Sequence, residues 1–544
     1  VEFTGTRARA IEHGRNRMAL VAACFIGAFL VLGVRVVELT LTRGNEIQVR
    51  STVADAPIRR APLVDRNGDV LATDVELPSL FVDARKVIEP EATAAALSSV
   101  LPHLDPDDLL ARLTSGRAFE WIERKLAPRQ QAAVHALGLP GIGFKREPHR
   151  VYPKGDSAAH LLGYVDIDNR GIAGIERGLD EVIVRGGEAV ALTVDMRIQH
   201  VIEDELTNAM AAFGAAGAAG IVLDVHTGAV LGLASLPDYD PNNPAAVPAA
   251  SRFNMATRGV YEMGSTFKVF TAAIAIEAGA AAMDTSYDAR QPLKVAGHTI
   301  NDFHPEKRWL TLPEVVMHSS NIGSARMALD IGVERHRHFL GKLGLLDRPA
   351  FELPETAEPL LPSRWHAIET MTISFGHGLA VSPLQIAAAG AALANGGYRV
   401  VPTLVPAAGL PDRERVLSAA TARSVTGLMR QVVTEGTGRH ADVPGYEVAG
   451  KTGTAEKPGR GGYSRNQLIT SFLAVFPARA PEYLVLVVLD EPKPAKETFG
   501  FATAGWNAAP TAGRMIRRIA PILGVKPLMP RPGGIEIVEA GLAR

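Results

Sequence analysis

The sequence predicts an α+β protein with a single N-terminal transmembrane helix, a middle domain of mixed strands and helices, and a C-terminal domain with a five-stranded antiparallel sheet flanked by helices. Two observations support this fold class. An uncharged run follows a basic N-terminus, and two strand-like runs after residue 215 are separated from three later ones by a long, mostly helical stretch. The predicted parts are a cytoplasmic N-terminus (1–17), the transmembrane helix (18–39), a juxtamembrane linker (40–57), the middle domain (58–196), the C-terminal domain (197–523) and a tail (524–544).

The composition excludes several classes of protein. The 544 residues carry a net charge of −1, so no basic surface points to a nucleic-acid partner. Cys24 is the only cysteine, which excludes both a disulfide framework and a cysteine-based metal site.

The predicted transmembrane helix rests on Met18 to Val34, seventeen residues without a charge. At about 1.5 Å per residue the run spans roughly 25 Å, the short end of the range for a membrane helix. Val36 and Val37 extend it if the charged end of Arg35 reaches the interface. Four arginines and two glutamates precede the run, so the positive-inside rule places the N-terminus in the cytoplasm and the chain after residue 40 outside.

A cleaved leader would share the basic and apolar parts of this segment. However, Arg35 to Leu39 offers no site with small residues for cleavage. Val21 to Cys24 resembles a lipoprotein processing site, but few apolar residues precede it and the apolar run continues beyond it. We therefore predict an uncleaved anchor in which Cys24 is a small buried residue without a catalytic role.

The middle domain carries turn signals but no pairing of a nucleophile with a base. Asp65 to Asp69 separates two short apolar runs and predicts a hairpin. Residues 89–139 have helical periodicity interrupted by three prolines. Gly171 to Glu176 predicts a tight loop, with Glu176 a candidate for a structural salt bridge. We interpret this domain as structural or partner-binding.

The C-terminal domain shows two groups of strands around a helical insert, and this order is typical of an antiparallel sheet flanked by helices. A further strand at 191–195 leads into it. The predicted elements are a helix at 197–212, strands at 219–225 and 229–235 joined by a turn at 226–228, strands at 446–455, 468–476 and 483–489, and a closing helix at 508–522.

Ser265 and Lys268 are the first candidate catalytic residues. A helix that starts near Ser265 would place Lys268 on the same face, one turn away. A lysine amine can remove the proton of a serine hydroxyl if desolvation lowers the amine's pKa. Taken alone, such a pair is more often a helix start with a solvated lysine.

Two later motifs change that interpretation. Ser319-Ser320-Asn321 and then Lys451-Thr452-Gly453-Thr454 follow the Ser-x-x-Lys pair, in the order of the Ser-x-x-Lys, Ser-Asp-Asn and Lys-Thr-Gly motifs of β-lactamases and penicillin-binding proteins. Ser464-Arg465-Asn466 and His226-Thr227-Gly228 imitate the second and third motifs out of order, and we interpret both as structural.

The chain resembles the class B penicillin-binding proteins over nearly its whole length. Arg60 to Gly68 and Gly171 to Glu176 are similar to motifs of that family's pedestal domain, with Ala61 where the family usually has glycine. Ser374 to Leu379, with the segments 382–385 and 393–397, is similar to the helical region before the third motif. Met263 stands where proline is commoner, a change that removes no functional group.

Within this class, the short pedestal and the motif contexts resemble the division-specific FtsI type, with the elongation type as the alternative. The resemblance implies an elongated pedestal domain and a transpeptidase domain of the serine β-lactamase type. It implies catalytic roles for Ser265, Lys268, Ser319, Asn321 and Lys451, and substrate binding by Thr452, Gly453 and Thr454.

In this family Ser265 would attack the substrate carbonyl with Lys268 as base. Ser319, with Lys451 close by, would carry a proton to the leaving amine, and Asn321 would hold Lys268 and the substrate amide. The backbone N–H groups of Ser265 and Thr454 would stabilise the oxyanion.

The resemblance also implies a function, partners and a location. The enzyme would be a peptidoglycan D,D-transpeptidase of the bacterial inner membrane, with its catalytic domain in the periplasm and Ser265 acylated by β-lactams. Peptidoglycan stem peptides would be its substrate, an FtsW-type glycosyltransferase and other divisome membrane proteins its partners, and no metal or cofactor is expected. The alternatives are a membrane-anchored D,D-carboxypeptidase or β-lactamase, and a non-catalytic scaffold or β-lactam sensor. The roles of Asp302 and His304 stay open.

Overall fold

A computed structural model describes residues 23, 25–33, 58–295, 297–407, 409, 413–459 and 462–528. Residues 25–33 are helical, and within these described ranges no helix has both the length and the apolar character needed to cross a bilayer. Most of the predicted transmembrane helix, the N-terminus, nearly all of the linker and most of the tail lie outside the described residues. The described chain from Arg59 onward belongs to one compact unit.

The first part of this unit is built on strand β2, which pairs with β1, β3 and β4. A short strand, β5, runs parallel to β1. The elements are strands β1 (Leu63–Val64), β2 (Val70–Val82), β3 (Glu120–Glu123), β4 (Ile142–Val151) and β5 (Val190–Ala191), and helices α1 (Pro90–Val100), α2 (Pro106–Leu113), α3 (Pro128–Ala136), α4 (Ala159–Leu162), α5 (Gly174–Gly178) and α6 (Asp180–Arg185).

The hairpin predicted at Asp65 is confirmed, because Asp65 Oδ1 accepts hydrogen bonds from the backbone N–H groups of Asn67 and Asp69 at the turn between β1 and β2. Residues 89–139 form three helices, each with a proline at its first position, where the missing N–H costs nothing. The interpretation of this stretch as helical missed β3, whose four residues are too few to show a clear period.

The predicted salt bridge of Glu176 is confirmed and is completely buried. Glu176 Oε2 lies 2.7 Å from Arg60 Nε, and its Oε1 lies 2.6 Å from Arg150 Nε. Arg60 also contacts Asp180 at 2.5 Å, and Arg150 contacts Asp74 at 3.2 Å. This buried ion group joins the two segments that resemble pedestal motifs.

The second part contains the predicted five-stranded sheet, with strand order β12-β13-β14-β6-β7 and antiparallel pairing throughout. Its strands are β6 (Gly217–Asp224), β7 (Val230–Leu236), β12 (Ala449–Gly459), β13 (Gly462–Phe476) and β14 (Tyr483–Asp490), and short strands β8 (Ser286–Asp288), β9 (Leu293–Val295), β10 (His298–Ile300) and β11 (Trp309–Thr311) lie in the insert. The helices are α7 (Met196–Phe213), α8 (Phe267–Glu277), α9 (Leu312–Met317), α10 (Asn321–Ile331), α11 (Val333–Lys342), α12 (Ala367–Ile373), α13 (Pro383–Ala394), α14 (Ala419–Thr434) and α15 (Ala508–Ile522).

The predicted strand boundaries are partly wrong. β12 begins at Ala449 rather than at 446, and β13 begins at Gly462 rather than at 468. The polar residues near the turn between β12 and β13 have no strand-like pattern of apolar side chains. Their backbone groups nevertheless continue the ladder between the two strands. The strand predicted at 191–195 also has wrong bounds, because the observed strand, β5, covers only Val190–Ala191.

Both faces of the sheet are buried, and this places α8 against one of them. Leu484 and Leu486 of β14 belong to the same core as Phe270 of α8, whereas Val485 and Val487 belong to the core formed with α7 and α15. The alternation follows from the two-residue period of a strand. Helix α8 is therefore fixed beside the sheet, and its N-terminus lies next to the edge strand β12.

Candidate active site

Ser265 lies in a short 3-10 turn, Gly264–Thr266, that leads into α8. The helix itself begins at Phe267, two residues later than predicted, but the three-residue spacing to Lys268 still brings the two side chains together. Gly264 has φ +52°, and a Cβ there would lie 2.4 Å from the carbonyl oxygen of Thr454. Only glycine therefore allows the turn to come this close to β12.

Lys268 is buried, with 1% of its surface exposed. Its Nζ lies 2.7 Å from Ser265 Oγ, 2.7 Å from Asn321 Oδ1, 2.8 Å from Ser319 O and 3.1 Å from Ser319 Oγ. Burial, followed by the charge of Lys451, lowers the pKa of Lys268 well below its usual value, whereas Asp302 acts to raise it. A neutral amine held against a serine hydroxyl can act as a general base.

The second motif places Ser319 between two lysines. Ser319 Oγ lies 3.1 Å from Lys268 Nζ and 3.1 Å from Lys451 Nζ. Its backbone has φ +62°, an uncommon conformation for a residue other than glycine, which costs about 1–3 kcal/mol when the surrounding structure enforces it. Ser320 accepts a hydrogen bond from the N–H of Gly323 and thereby caps α10.

Lys451 lies on the edge strand β12 and is fully buried. Burial lowers the pKa of Lys451 to about 7. Two ammonium groups that share one hydroxyl repel each other, so the site favours a single charge. The charge of Lys451 is itself one of the causes that lower the pKa of Lys268, so the two amines are coupled and a neutral Lys268 can accept the proton of Ser265.

The remaining residues of the third motif line the same edge. Thr452 Oγ1 lies 2.7 Å from Thr437 Oγ1, and Thr454 Oγ1 accepts a hydrogen bond of 3.1 Å from the N–H of Ala504. A Cβ on Gly453 would lie 2.3 Å from Thr266 Oγ1, so this glycine permits β12 to pack on the turn that carries Ser265. The structure brings all eight predicted site residues together.

Two groups of residues near the site carried no predicted role. Asn301 and Asp302 contact the second motif. Glu262 Oε2 lies 2.7 Å from His377 Nδ1, and its Oε1 accepts a hydrogen bond of 2.9 Å from the hydroxyl of Tyr463. His377 lies within the segment Ser374 to Leu379, and Glu262 directly precedes Met263. Their positions beside residues that resemble family motifs were the signal in the sequence that could have indicated them.

The two segments that imitate the motifs lie elsewhere. Ser464-Arg465-Asn466 belongs to the first residues of β13, and His226-Thr227-Gly228 forms the turn between β6 and β7. His226 Nε2 lies 3.0 Å from the carbonyl oxygen of Pro481. Their interpretation as structural agrees with these positions.

Comparison with known proteins assigns the two parts of the fold. Residues 218–511 match the family model described as the penicillin binding protein transpeptidase domain, and residues 55–190 match the penicillin-binding protein dimerisation domain. The probable peptidoglycan D,D-transpeptidase FtsI of Caulobacter vibrioides is 44% identical over 482 residues, which cover 86% of this chain and 82% of the relative. The chain belongs to the class B penicillin-binding proteins of the FtsI type.

Other relatives agree with this assignment. The peptidoglycan D,D-transpeptidase FtsI of Escherichia coli is 31% identical to this class B penicillin-binding protein over 559 residues, covering 94% of this chain and 92% of the relative. A crystal structure of penicillin-binding protein 3 from Mycobacterium tuberculosis complexed with aztreonam superposes with a TM-score of 0.67 at 26% identity, covering 87% of this chain and 98% of that one. The two-domain fold of this class B penicillin-binding protein is therefore the fold of its family.

Proposed function

We propose that this protein is a peptidoglycan D,D-transpeptidase that cross-links stem peptides through an acyl-enzyme on Ser265, in septal cell-wall synthesis during division. The observation that carries the proposal is the position of Lys268 Nζ, buried and 2.7 Å from Ser265 Oγ. The names of the FtsI relatives support both the reaction and the septal role.

In the acylation step, neutral Lys268 takes the proton of Ser265, and Oγ attacks the carbonyl carbon of the penultimate D-Ala. The oxyanion is stabilised by the backbone N–H groups of Ser265 and Thr454. As the C–N bond breaks, Ser319 gives its proton to the leaving D-Ala amine and recovers one from Lys268. The contact of 3.1 Å between Lys268 Nζ and Ser319 Oγ supports this path.

In the second step the amine of another stem peptide attacks the ester carbonyl. The proton of that amine moves to Ser319 and Lys268, and finally to the departing Ser265 Oγ. One peptide bond has then formed for the one broken, and the enzyme returns to its starting state. Lys268 ends the cycle neutral, as it began.

Lys451, Thr452, Gly453 and Thr454 bind the terminal carboxylate of the donor peptide in this proposal. A charged ammonium and hydroxyl groups on an edge strand are suited to a carboxylate, because charge-assisted hydrogen bonds are the stronger ones. The free side of β12 also offers backbone groups to an extended peptide.

The membrane anchor at 18–39, the periplasmic location and the domain limits 58–196 and 197–523 belong to the same proposal. The uncharged run from Met18 and the preceding arginines support the anchor. An FtsW-type glycosyltransferase and other divisome membrane proteins are the proposed partners, bound through the anchor and the pedestal. The resemblance to the FtsI type supports these partners.

Labelling with a fluorescent penicillin tests the reaction. We expect covalent labelling of the full chain, no labelling of Ser265→Ala, and strongly reduced labelling of Ser319→Ala. The matched control is Ser464→Ala, in the segment that imitates the second motif, which should label normally. Labelling of Ser265→Ala would remove this residue from its role.

The lifetime of the acyl-enzyme separates the transpeptidase from its hydrolytic alternatives. A lifetime of many minutes supports the transpeptidase, whereas turnover within seconds would indicate a D,D-carboxypeptidase or β-lactamase. Depletion in the native organism then tests the septal role. Filaments support division, and rounded cells would indicate the elongation type.

A further inference from the structure

Asn301 and Asp302 follow strand β10 and lie against the second motif. Asp302 Oδ2 accepts a hydrogen bond of 2.7 Å from Ser320 Oγ, and Asp302 Oδ1 accepts one of 2.9 Å from the N–H of Ile322. The carbonyl oxygen of Asn301 accepts a hydrogen bond of 2.9 Å from Asn321 Nδ2. Two residues outside the motif thus hold both its last residues and the first turn of α10.

The contact from Asn301 decides which end of the Asn321 amide faces the catalytic lysine. Because Nδ2 donates to Asn301, Oδ1 is directed to Lys268 Nζ at 2.7 Å. In the opposite orientation two donor groups would face each other and Lys268 would lose an acceptor. The segment before the motif therefore fixes a direct contact of the base.

The contact between Asp302 and Ser320 occurs at the middle position of the second motif. The Ser-Asp-Asn form of the motif carries a carboxylate there. This chain has Ser320 at that position, and Asp302 brings a carboxylate to its hydroxyl from a separate segment. A carboxylate on the first turn of α10 also interacts favourably with the positive end of the helix dipole.

Few charged groups act on this part of the site. Lys451 approaches Lys268 from β12, and Asp302 approaches from the segment after β10. His304 is exposed and its ring contacts that of Phe303, while Glu306 lies 3.5 Å from His318 after α9. Asp302 is therefore the one acidic group, among those named here, that opposes the charge of Lys451 at Lys268.

We propose that Asp302 is a positioning residue of the transpeptidase reaction. From a separate segment of the same chain, its carboxylate holds Ser320 and the N–H of Ile322 on either side of Asn321, and its charge acts on Lys268. This inference rests on the proposed function, because it concerns the acylation of Ser265. It has two separable parts, the hydrogen bonds to the motif and the negative charge near Lys268.

The test measures the acylation rate constant of the full chain with a fluorescent penicillin between pH 4.5 and 9. Asp302→Asn retains groups that can hydrogen-bond but removes the charge. We expect its acylation rate at the optimal pH to fall about tenfold. The acid limb of its pH–rate profile should move to lower pH by roughly 0.5 to 1 unit, because loss of a nearby anion disfavours protonated Lys268. The direction of that shift is one that loss of packing alone does not produce.

Two controls separate charge from geometry. Ser320→Ala removes the hydrogen bond to Asp302 but keeps its charge, so the rate should fall several-fold with the acid limb unmoved. His304→Gln removes a titratable group of the same segment and should leave both rate and limb unchanged. A shift of the limb in His304→Gln would assign the effect to that histidine and overturn the proposal.

An Asp302→Asn variant with the parent rate and limb would overturn the proposal, as would equal rate losses in Asp302→Asn and Ser320→Ala without a shift. If Asp302→Asn does not fold, Asp302→Glu retains the charge and should lose rate while keeping the parent acid limb; a moved limb would contradict us. Failure of the proposed function is a different result, namely a parent chain that is not labelled at all.

Discussion

The pedestal and the active site both bury charged side chains, but they treat them in opposite ways. In the pedestal, Arg60 and Arg150 face Glu176 at 2.7 and 2.6 Å, and two aspartates add further contacts. In the active site, Lys268 and Lys451 are buried as completely, yet their hydrogen-bond partners are neutral: serine, threonine and asparagine side chains and backbone carbonyls.

The difference shows that burial of charged side chains has a different effect in each region. Compensated charges fix the fold, since removing one partner leaves a buried charge unpaired. Buried amines without an anionic hydrogen-bond partner have a lowered pKa instead, and an amine that is neutral near pH 7 can accept a proton. Stability and reactivity are thus assigned to separate groups of buried residues.

The largest effect is expected from Lys268→Met, which replaces the base by an uncharged side chain of similar length. The acylation rate with penicillin should fall about 10²- to 10⁴-fold, the range for loss of a general base. The melting temperature should stay equal or rise, because methionine avoids the cost of desolvating the buried amine of Lys268. A large loss of stability in this variant would contradict the comparison.

The next largest effect concerns the pedestal. Glu176→Gln leaves Arg60 and Arg150 without the carboxylate between them, and the free energy of unfolding should fall by about 3 kcal/mol. The matched control is Glu181→Gln, which breaks an exposed pair with Arg185 and should change stability by less than about 0.5 kcal/mol. Both are measured by denaturant unfolding, and penicillin labelling of the folded fraction should persist in both.

The smallest effect is a pH dependence of stability caused by Lys451. Its pKa is about 7 in the folded protein and 10.5 when exposed, so between these values the unfolded chain binds more protons and stability rises with pH. Lys451→Met should lack this rise. Its free energy of unfolding should therefore fall relative to that of the parent by about 1 kcal/mol between pH 7 and pH 8, and the difference should keep growing towards pH 10.

The exposed residue Lys294 provides the control for this measurement. Lys294→Met should keep a constant difference from the parent across the same pH range. If the free energy of unfolding of Lys451→Met also keeps a constant difference from the parent, Lys451 is not titrated in this pH range. The contrast between the two regions would then rest on Lys268 alone.

Much of the architecture could be predicted from local patterns. Five strands, their antiparallel pairing and the closing helix at Ala508–Ile522 follow from apolar runs and turn signals. The missed β3 and the misplaced start of β13 have one cause, because both depend on pairing with a neighbouring strand rather than on their own side-chain pattern. Backbone pairing of this kind leaves no periodic signal in a short or polar segment.

The sequence by itself determined which residues form the three motifs and their order along the chain, because residue type and close spacing are local properties. The resemblance implied that Lys451 lies close to Ser319, but only the tertiary structure shows how deeply Lys268 is buried, how near Ser319 lies to both lysines and that Asp302 contacts Ser320. Lys268 and Ser319 are 51 positions apart in the sequence, and Ser319 and Lys451 are 132 positions apart. Burial and contact over such separations are set by packing of the whole domain, and packing is what lowers the pKa of the lysine beside Ser265.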